Sequence, residues 1–168
     1  LDNLYGDVPV PIGFDETISQ TKLTVFMLSV LLVNRGDRVL ELKTASGYQT
    51  ALLAHMGAEV YSLETDRALG RVMKPTLNGL GFDNLHYVVG GDGYVGLPQH
   101  GPYDRIIATA AYPTTPRAIL QQLKPGGRFI APVGATDDTQ YLMLYTKTLA
   151  GELEEVQIMQ VAFGAMPR

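Results

Sequence analysis

The sequence predicts an open, doubly wound α/β fold: a mostly parallel sheet with helices on both faces and an antiparallel C-terminal edge. Three observations predict it. Five short runs rich in Val, Ile, Leu and Tyr, bounded by Gly, Asp or Pro, recur between Arg38 and Pro132. Most of the gaps between those runs are long enough for a helix, as parallel strands require. Beyond them, two extended stretches separated only by Leu149 to Glu152 suit a hairpin better than a crossover.

In chain order, Ser19 to Val33 carries apolar residues at helical spacing and stops at Asn34, Arg35 and Gly36, a glycine-ended helix. The first strand is predicted over Arg38 to Leu42, and the helix after it over Gly47 to Met56. Glu59 to Leu63 is the second strand and Asp66 to Asn78 its crossover helix. Pro75 lies inside that helix, where it removes a hydrogen bond and clashes with the preceding turn, so a kink or break is expected near Lys74. Leu85 to Val89, Tyr103 to Ala108 and Gly127 to Pro132 complete the array, with Pro116 to Gln122 a short helix before the last. Tyr141 to Thr148 and Leu153 to Phe163 form the closing hairpin. Residues 1–168 therefore read as one domain, with 1–35 a leading segment and first helix and 36–168 the sheet core.

Composition narrows what such a domain does. There is no cysteine, which removes thiolate metal sites, cysteine nucleophiles and disulfides together and suits a reducing, cytoplasmic compartment. A net charge of −4 with no run of Lys or Arg lacks the footprint of a protein that neutralises many phosphates, so no nucleic-acid partner is expected. The apolar stretch Val25 to Val33 contains Ser29 and is about half of a bilayer span, so no membrane partner is expected either. His55, His86 and His100 have no carboxylate or second histidine at ligand spacing; they are expected to be surface or packing residues, with no metal site. The chain is expected to act as a monomer.

In an open α/β sheet, ligands collect outside the carboxyl ends of the strands, near the point where strand order reverses. After the first strand come Glu41, Leu42, Lys43, Thr44, Ala45, Ser46 and Gly47, a turn into a helix that fits either a cofactor lying against the helix N-terminus or an ordinary strand-to-helix connection. Glu64 ends the second strand, where a carboxylate can accept hydrogen bonds from both hydroxyls of a ribose; a solvated carboxylate capping the helix near Asp66 is the plainer reading. The third strand ends in Gly90, Gly91, Asp92 and Gly93, glycines that suit close backbone approach to something planar or a plain turn.

The stretches VLELKTASGYQTALLAHMGAEVYSLE, GGDGYVGLP, YDRIIATAAYPTTP and LKPGGRFIAPVG, with VPIGFDETISQ upstream, resemble in that order the protein-L-isoaspartate O-methyltransferases. The resemblance covers nearly the whole chain, and its most specific parts are the PIG and TISQ segment and GYQTA. It implies a Rossmann-like class I methyltransferase that uses S-adenosyl-L-methionine to methylate the free α-carboxyl of isoaspartyl residues in damaged proteins or peptides, the start of protein repair. Carried over by position, Glu41 and the loop Lys43, Thr44, Ala45, Ser46 and Gly47 would hold the methionine end of the cofactor. Glu64 would take the ribose, Asp92 with Gly93 the adenine edge, and Thr109 with Ala110 would line the floor. Thr17, Ile18 and Ser19 would face the substrate carboxyl, with the Ser19 hydroxyl as the orienting donor, so that 1–35 is the substrate side of the domain. Val161 to Pro167, including Phe163, resembles a closing strand that helps hold the peptide. The resemblance also implies a further N-terminal helical segment, usual in the family and expected to be missing from these 168 residues.

The chain departs from the family pattern at both sites. Lys43 and Ala45 stand where the family has glycine, and Asp15, Glu16 and Thr21 where it generally has glycine, glutamine and proline. A lysine near a sulfonium and an ammonium is an added positive charge, although it can also reach the cofactor's carboxylate. Two alternatives follow: a relative with weakened or lost cofactor binding that serves as a binding or structural module, or a methyltransferase with a different carboxylate acceptor. A nicotinamide-dependent oxidoreductase is disfavoured by the same two loop residues.

Overall fold

The computed structural model describes residues 10–13, 16–18 and 21–168, with side chains from Lys22 onward. Two short antiparallel strands, β1 (Val10–Gly13) and β2 (Glu16–Ile18), precede helix α1 (Thr21–Leu31). The main body then alternates: β3 (Arg38–Leu42), α2 (Tyr48–His55), β4 (Glu59–Glu64), α3 (Arg67–Gly79), β5 (Leu85–Val89), β6 (Tyr103–Ala108), α4 (Arg117–Leu120) and β7 (Leu123–Val133). The strands β8 (Gln140–Lys147) and β9 (Leu153–Val161) follow as a hairpin.

The seven strands β3 to β9 form one sheet in the order β5-β4-β3-β6-β7-β8-β9. The first five in that order are mutually parallel, and β8 and β9 are antiparallel, as expected. Strand order reverses between β3 and β6. That is the switch point, and it places the β3–α2 loop over the crevice.

Each sheet face buries its own core. Leu40, Leu42, Leu63, Ile106 and Phe129 pack with Ile119 and Leu120 of α4 on one face. On the other, Val39, Val60, Ile107, Ile130 and Leu142 pack with α1 through Met27, Leu28 and Leu31 and with α2 through Leu53 and Ala54. The alternation of these residues along each strand is the period-two pleat. Helix α3 lies along β4 and β5, close enough that Gly70 faces the Val89 side chain directly.

Two expectations need correction. Pro75 does not break its helix: α3 runs unbroken from Arg67 to Gly79, with Pro75 on its exposed side. Its start is fixed by Asp66, whose Oδ1 accepts from the Ala68 and Leu69 amides at 2.7 and 3.1 Å. Secondly, β7 begins at Leu123 rather than Gly127; its register against β6 slips between Tyr103 and Arg105, so that Lys124, Pro125, Gly126 and Gly127 lie in a bulged stretch of the same strand.

Candidate active site

In the β3–α2 loop every second residue has left-handed backbone. Lys43, Ala45 and Gly47 have φ of 73°, 50° and 75°, a conformation costing a residue with a Cβ roughly 1–2 kcal/mol. Both neighbouring strands hold the loop in that shape. The Lys43 amide donates to Leu63 O of β4 at 2.9 Å, and Thr109 Oγ1, just past β6, donates to Lys43 O at 2.7 Å. The turn closes with the Gly47 amide donating to Thr44 O at 3.0 Å, and Gly47 stands as N-cap of α2 with no side chain to cap it.

Beneath the loop lies a buried polar cluster. Glu41 Oε2 accepts from the hydroxyls of Thr50 and Ser62, its Oε1 from Gln49 Nε2 at 3.0 Å, and Ser62 Oγ is 2.7 Å from Thr44 Oγ1. Glu41 is wholly buried, and that desolvation pushes its carboxyl up to about 7 against the lowering effect of its three donors. The Glu41 carboxylate thus faces inward, supporting the loop from below. Ser62, Thr50 and Gln49 were not singled out in the sequence. The signal was Ser62 itself, a hydroxyl in an otherwise apolar run that must find a buried partner.

Glu64, at the end of β4, is 0 % exposed and so is not the solvated cap considered above. Its Oε2 accepts from the Ala45 amide at 2.8 Å and its Oε1 from the Asp66 amide at 2.9 Å. The Lys43 Nζ stands 3.9 Å from Oε1, with the lysine side chain itself 6 % exposed. Strand end, loop backbone and loop ammonium therefore meet on one carboxylate.

The third and fourth strand ends are joined by the C-terminal tail. Asp92 Oδ1 accepts from the Tyr94 amide at 2.7 Å, shaping the turn, while Gly93 O accepts from Tyr112 Oη at 2.7 Å. Residues 164–167 run across this end of the sheet. The Ala111 amide donates to Gly164 O at 2.7 Å, the Met166 amide to Ala111 O at 2.8 Å, and the Gly93 amide to Pro167 O at 3.3 Å. Met166 is buried against Gly93, where a Cβ would come 2.7 Å from its Cγ. The glycine is required by this crossing.

The loop, Glu64, Asp92, Gly93 and Thr109 thus share the carboxyl end of the sheet. Other predicted residues are placed differently. Ala110 is buried in the core, and Val161 and Phe163 pack against the core on the α1 side. The Phe163 backbone is pinned by Gln140, which donates to its carbonyl at 3.0 Å and accepts from its amide at 2.7 Å. Thr17 and Ile18 belong to β2, while Ser19 lies outside the described residues. His55 is exposed, and His86 and His100 stack on Tyr61 with centroids 4.6 and 4.8 Å away. Among the described residues no group of His, Cys, Asp or Glu is arranged to hold a metal, and no helix is long and apolar enough to cross a membrane.

A family model for protein-L-isoaspartate(D-aspartate) O-methyltransferase matches residues 1–167. The chain belongs to this family. Among its relatives, the protein-L-isoaspartate O-methyltransferase of Christiangramia forsetii is 44% identical over 154 residues, 92% of this chain and 71% of that protein. A protein-L-isoaspartate O-methyltransferase 2 from Polaromonas sp. is 42% identical over 163 residues, 97% of this chain and 77% of that one. A solved protein-L-isoaspartate O-methyltransferase superposes with a TM-score of 0.88 at 28% identity; it covers 99% of this chain, which spans only 55% of that structure's length. A Plasmodium falciparum structure bearing the same family name, in complex with S-adenosyl-L-homocysteine, has the same fold, with a TM-score of 0.81 at 24% identity over 95% of this chain and 80% of that one. The strand order of this chain puts its switch point at the loop described above.

Proposed function

We propose that this protein-L-isoaspartate O-methyltransferase family member transfers a methyl group from S-adenosyl-L-methionine to the free α-carboxylate of isoaspartyl residues in proteins or peptides. The observation that carries this reading is the convergence of the left-handed loop 43–47 and Glu64 at the switch point, in a chain matched by the family over residues 1–167. The residues present fit the cofactor. A carboxylate offers about four lone-pair sites. At Glu64 the Asp66 amide and, at 3.5 Å, the Thr65 hydroxyl take Oε1, while the Ala45 amide takes one site on Oε2 and leaves that oxygen able to accept from a ribose hydroxyl once its cover moves.

In this assignment Glu64 takes the ribose, the loop Lys43 to Gly47 faces the methionine end with Glu41 supporting it from beneath, and Asp92 with Gly93 flanks the base. The cofactor supplies a methyl group already activated by its sulfonium. An acceptor carboxyl with a pKa of about 4 is already ionised near neutral pH, so the protein needs no general base. Its task is alignment, which can be worth about 7–11 kcal/mol. Thr17 and Ser19 are assigned to orient the acceptor, with Ile18, Val161 and Phe163 contributing to the peptide side. A net charge of −4 supports a peptide rather than a nucleic-acid partner, and the lack of cysteine supports a cytoplasmic setting.

The test is methyl transfer to an isoaspartyl peptide and to its normal aspartyl counterpart. The expected result is base-labile methyl ester on the first only. Equal labelling of both would overturn the acceptor assignment.

A further inference from the structure

We propose that Lys43 is a built-in competitor for Glu64, so that a ligand bearing a vicinal diol gains this carboxylate only by displacing the lysine ammonium. The inference rests on the methyltransferase reading above and concerns how its cofactor site is regulated in this chain.

Glu64 is 0 % exposed, so no diol reaches it unless part of its cover moves. That cover includes the Lys43 ammonium, 3.9 Å from Oε1, and the Ala45 amide, 2.8 Å from Oε2. A carboxylate removed from water needs a compensating cation or hydrogen bonds, and the lysine supplies the cation from within the loop. The Lys43 backbone cannot retreat, because Leu63 O holds its amide and the Thr109 hydroxyl holds its carbonyl. Displacement therefore falls to the side chain, which is only 6 % exposed and must give up its place beside Glu64 to move.

A ligand that binds only the displaced arrangement has an apparent affinity reduced by the fraction of molecules in that arrangement. A glycine at position 43 has no side chain to displace, and it adopts φ near 73° without strain. The two substitutions Lys43→Gly and Lys43→Met separate charge from bulk, since methionine retains an unbranched stem without the ammonium.

Calorimetric titration of the parent, Lys43→Gly and Lys43→Met with S-adenosylhomocysteine tests the competition. Both variants are expected to bind about tenfold tighter than the parent or better, a change of about 1.4 kcal/mol. The gain should persist with adenosine and vanish with 2′,3′-dideoxyadenosine, which has no diol. Without ligand, Lys43→Met should lower the thermal midpoint by leaving Glu64 without its cation, and adding Glu64→Gln should restore part of the loss. Parent and variants binding equally, weaker binding by the variants, or tightening by Lys43→Gly alone would each overturn the competition. Failure of all three proteins to bind S-adenosylhomocysteine would remove the methyltransferase reading itself, and this inference with it.

Discussion

Glu41 shows how one buried side chain ties loop geometry to pH. Its carboxyl is pushed from an ordinary value near 4.5 up to about 7, chiefly by burial, so between those values the folded chain holds a proton that the unfolded chain releases. Its contribution to stability is therefore full below the lower value and is lost as pH rises through the upper one. Glu41→Gln removes the titration, and the Thr50 and Ser62 hydroxyls can rotate to accept from the new amide. Measured by urea unfolding, the parent's stability relative to this variant should fall by about 2–3 kcal/mol from pH 5 to pH 8. A constant difference would show that Glu41 is already ionised in the fold. The sequence displayed Glu41 at the end of an apolar strand, and its family position pointed to the cofactor. Its inward orientation was not legible, because it depends on Ser62 from the next strand and Thr50 from the next helix meeting it in space.

Among the elements, α3 tests packing against propensity within a single helix. A Cβ at Gly70 would lie 2.9 Å from Val89 Cγ2, whereas at Gly79 it would meet nothing within 4 Å. Alanine gains up to about 1 kcal/mol over glycine in a helix. At Gly70, overpacking against β5 costs about 1–3 kcal/mol and decides the sign. Gly70→Ala is expected to destabilise the protein and Gly79→Ala to leave it unchanged or stabilise it by up to about 1 kcal/mol. Destabilisation by both, in the same denaturant series, would refute the contact with Val89 as the cause. Element positions were largely readable because strand period and helix signals agree; β3, β5 and β6 lie where the apolar runs predicted. The start of β7 was hidden by Lys124, Pro125, Gly126 and Gly127, residues that read as a turn and are accommodated by a register slip. At Pro75 the helix continues, since α3 buries Leu69 and Gly70 before the proline and Leu77 after it.

At the scale of the molecule, the C-terminal tail fastens two strand ends that the sheet alone leaves separate. Met166 is the anchor, buried against Gly93, and the amides of Ala111 and Gly93 donate to the tail on either side of it. Truncating a buried methionine to alanine typically costs about 2–5 kcal/mol. Met166→Ala should therefore speed hydrogen exchange at Ala111 and Gly93 well above that at central-strand amides such as Leu40. Unchanged protection at both would mean that the tail's hydrogen bonds hold without their anchor. No sequence period announces this crossing, because residues 164–167 form no repeating element and meet their partners only after the chain has folded back. The hairpin that carries the tail has a different consequence. Strand β9 is the last in the sheet, exposed along most of its length, with Leu153, Val156 and Met159 open to solvent. An edge with no partner strand among the described residues can template the addition of another chain's strand. Glu152, Glu154 and Glu155 crowd its leading half, so two such edges meeting parallel and in register would set carboxylate against carboxylate. The same acidic residues that add nothing to the core thereby help keep neighbouring molecules from growing into a shared sheet.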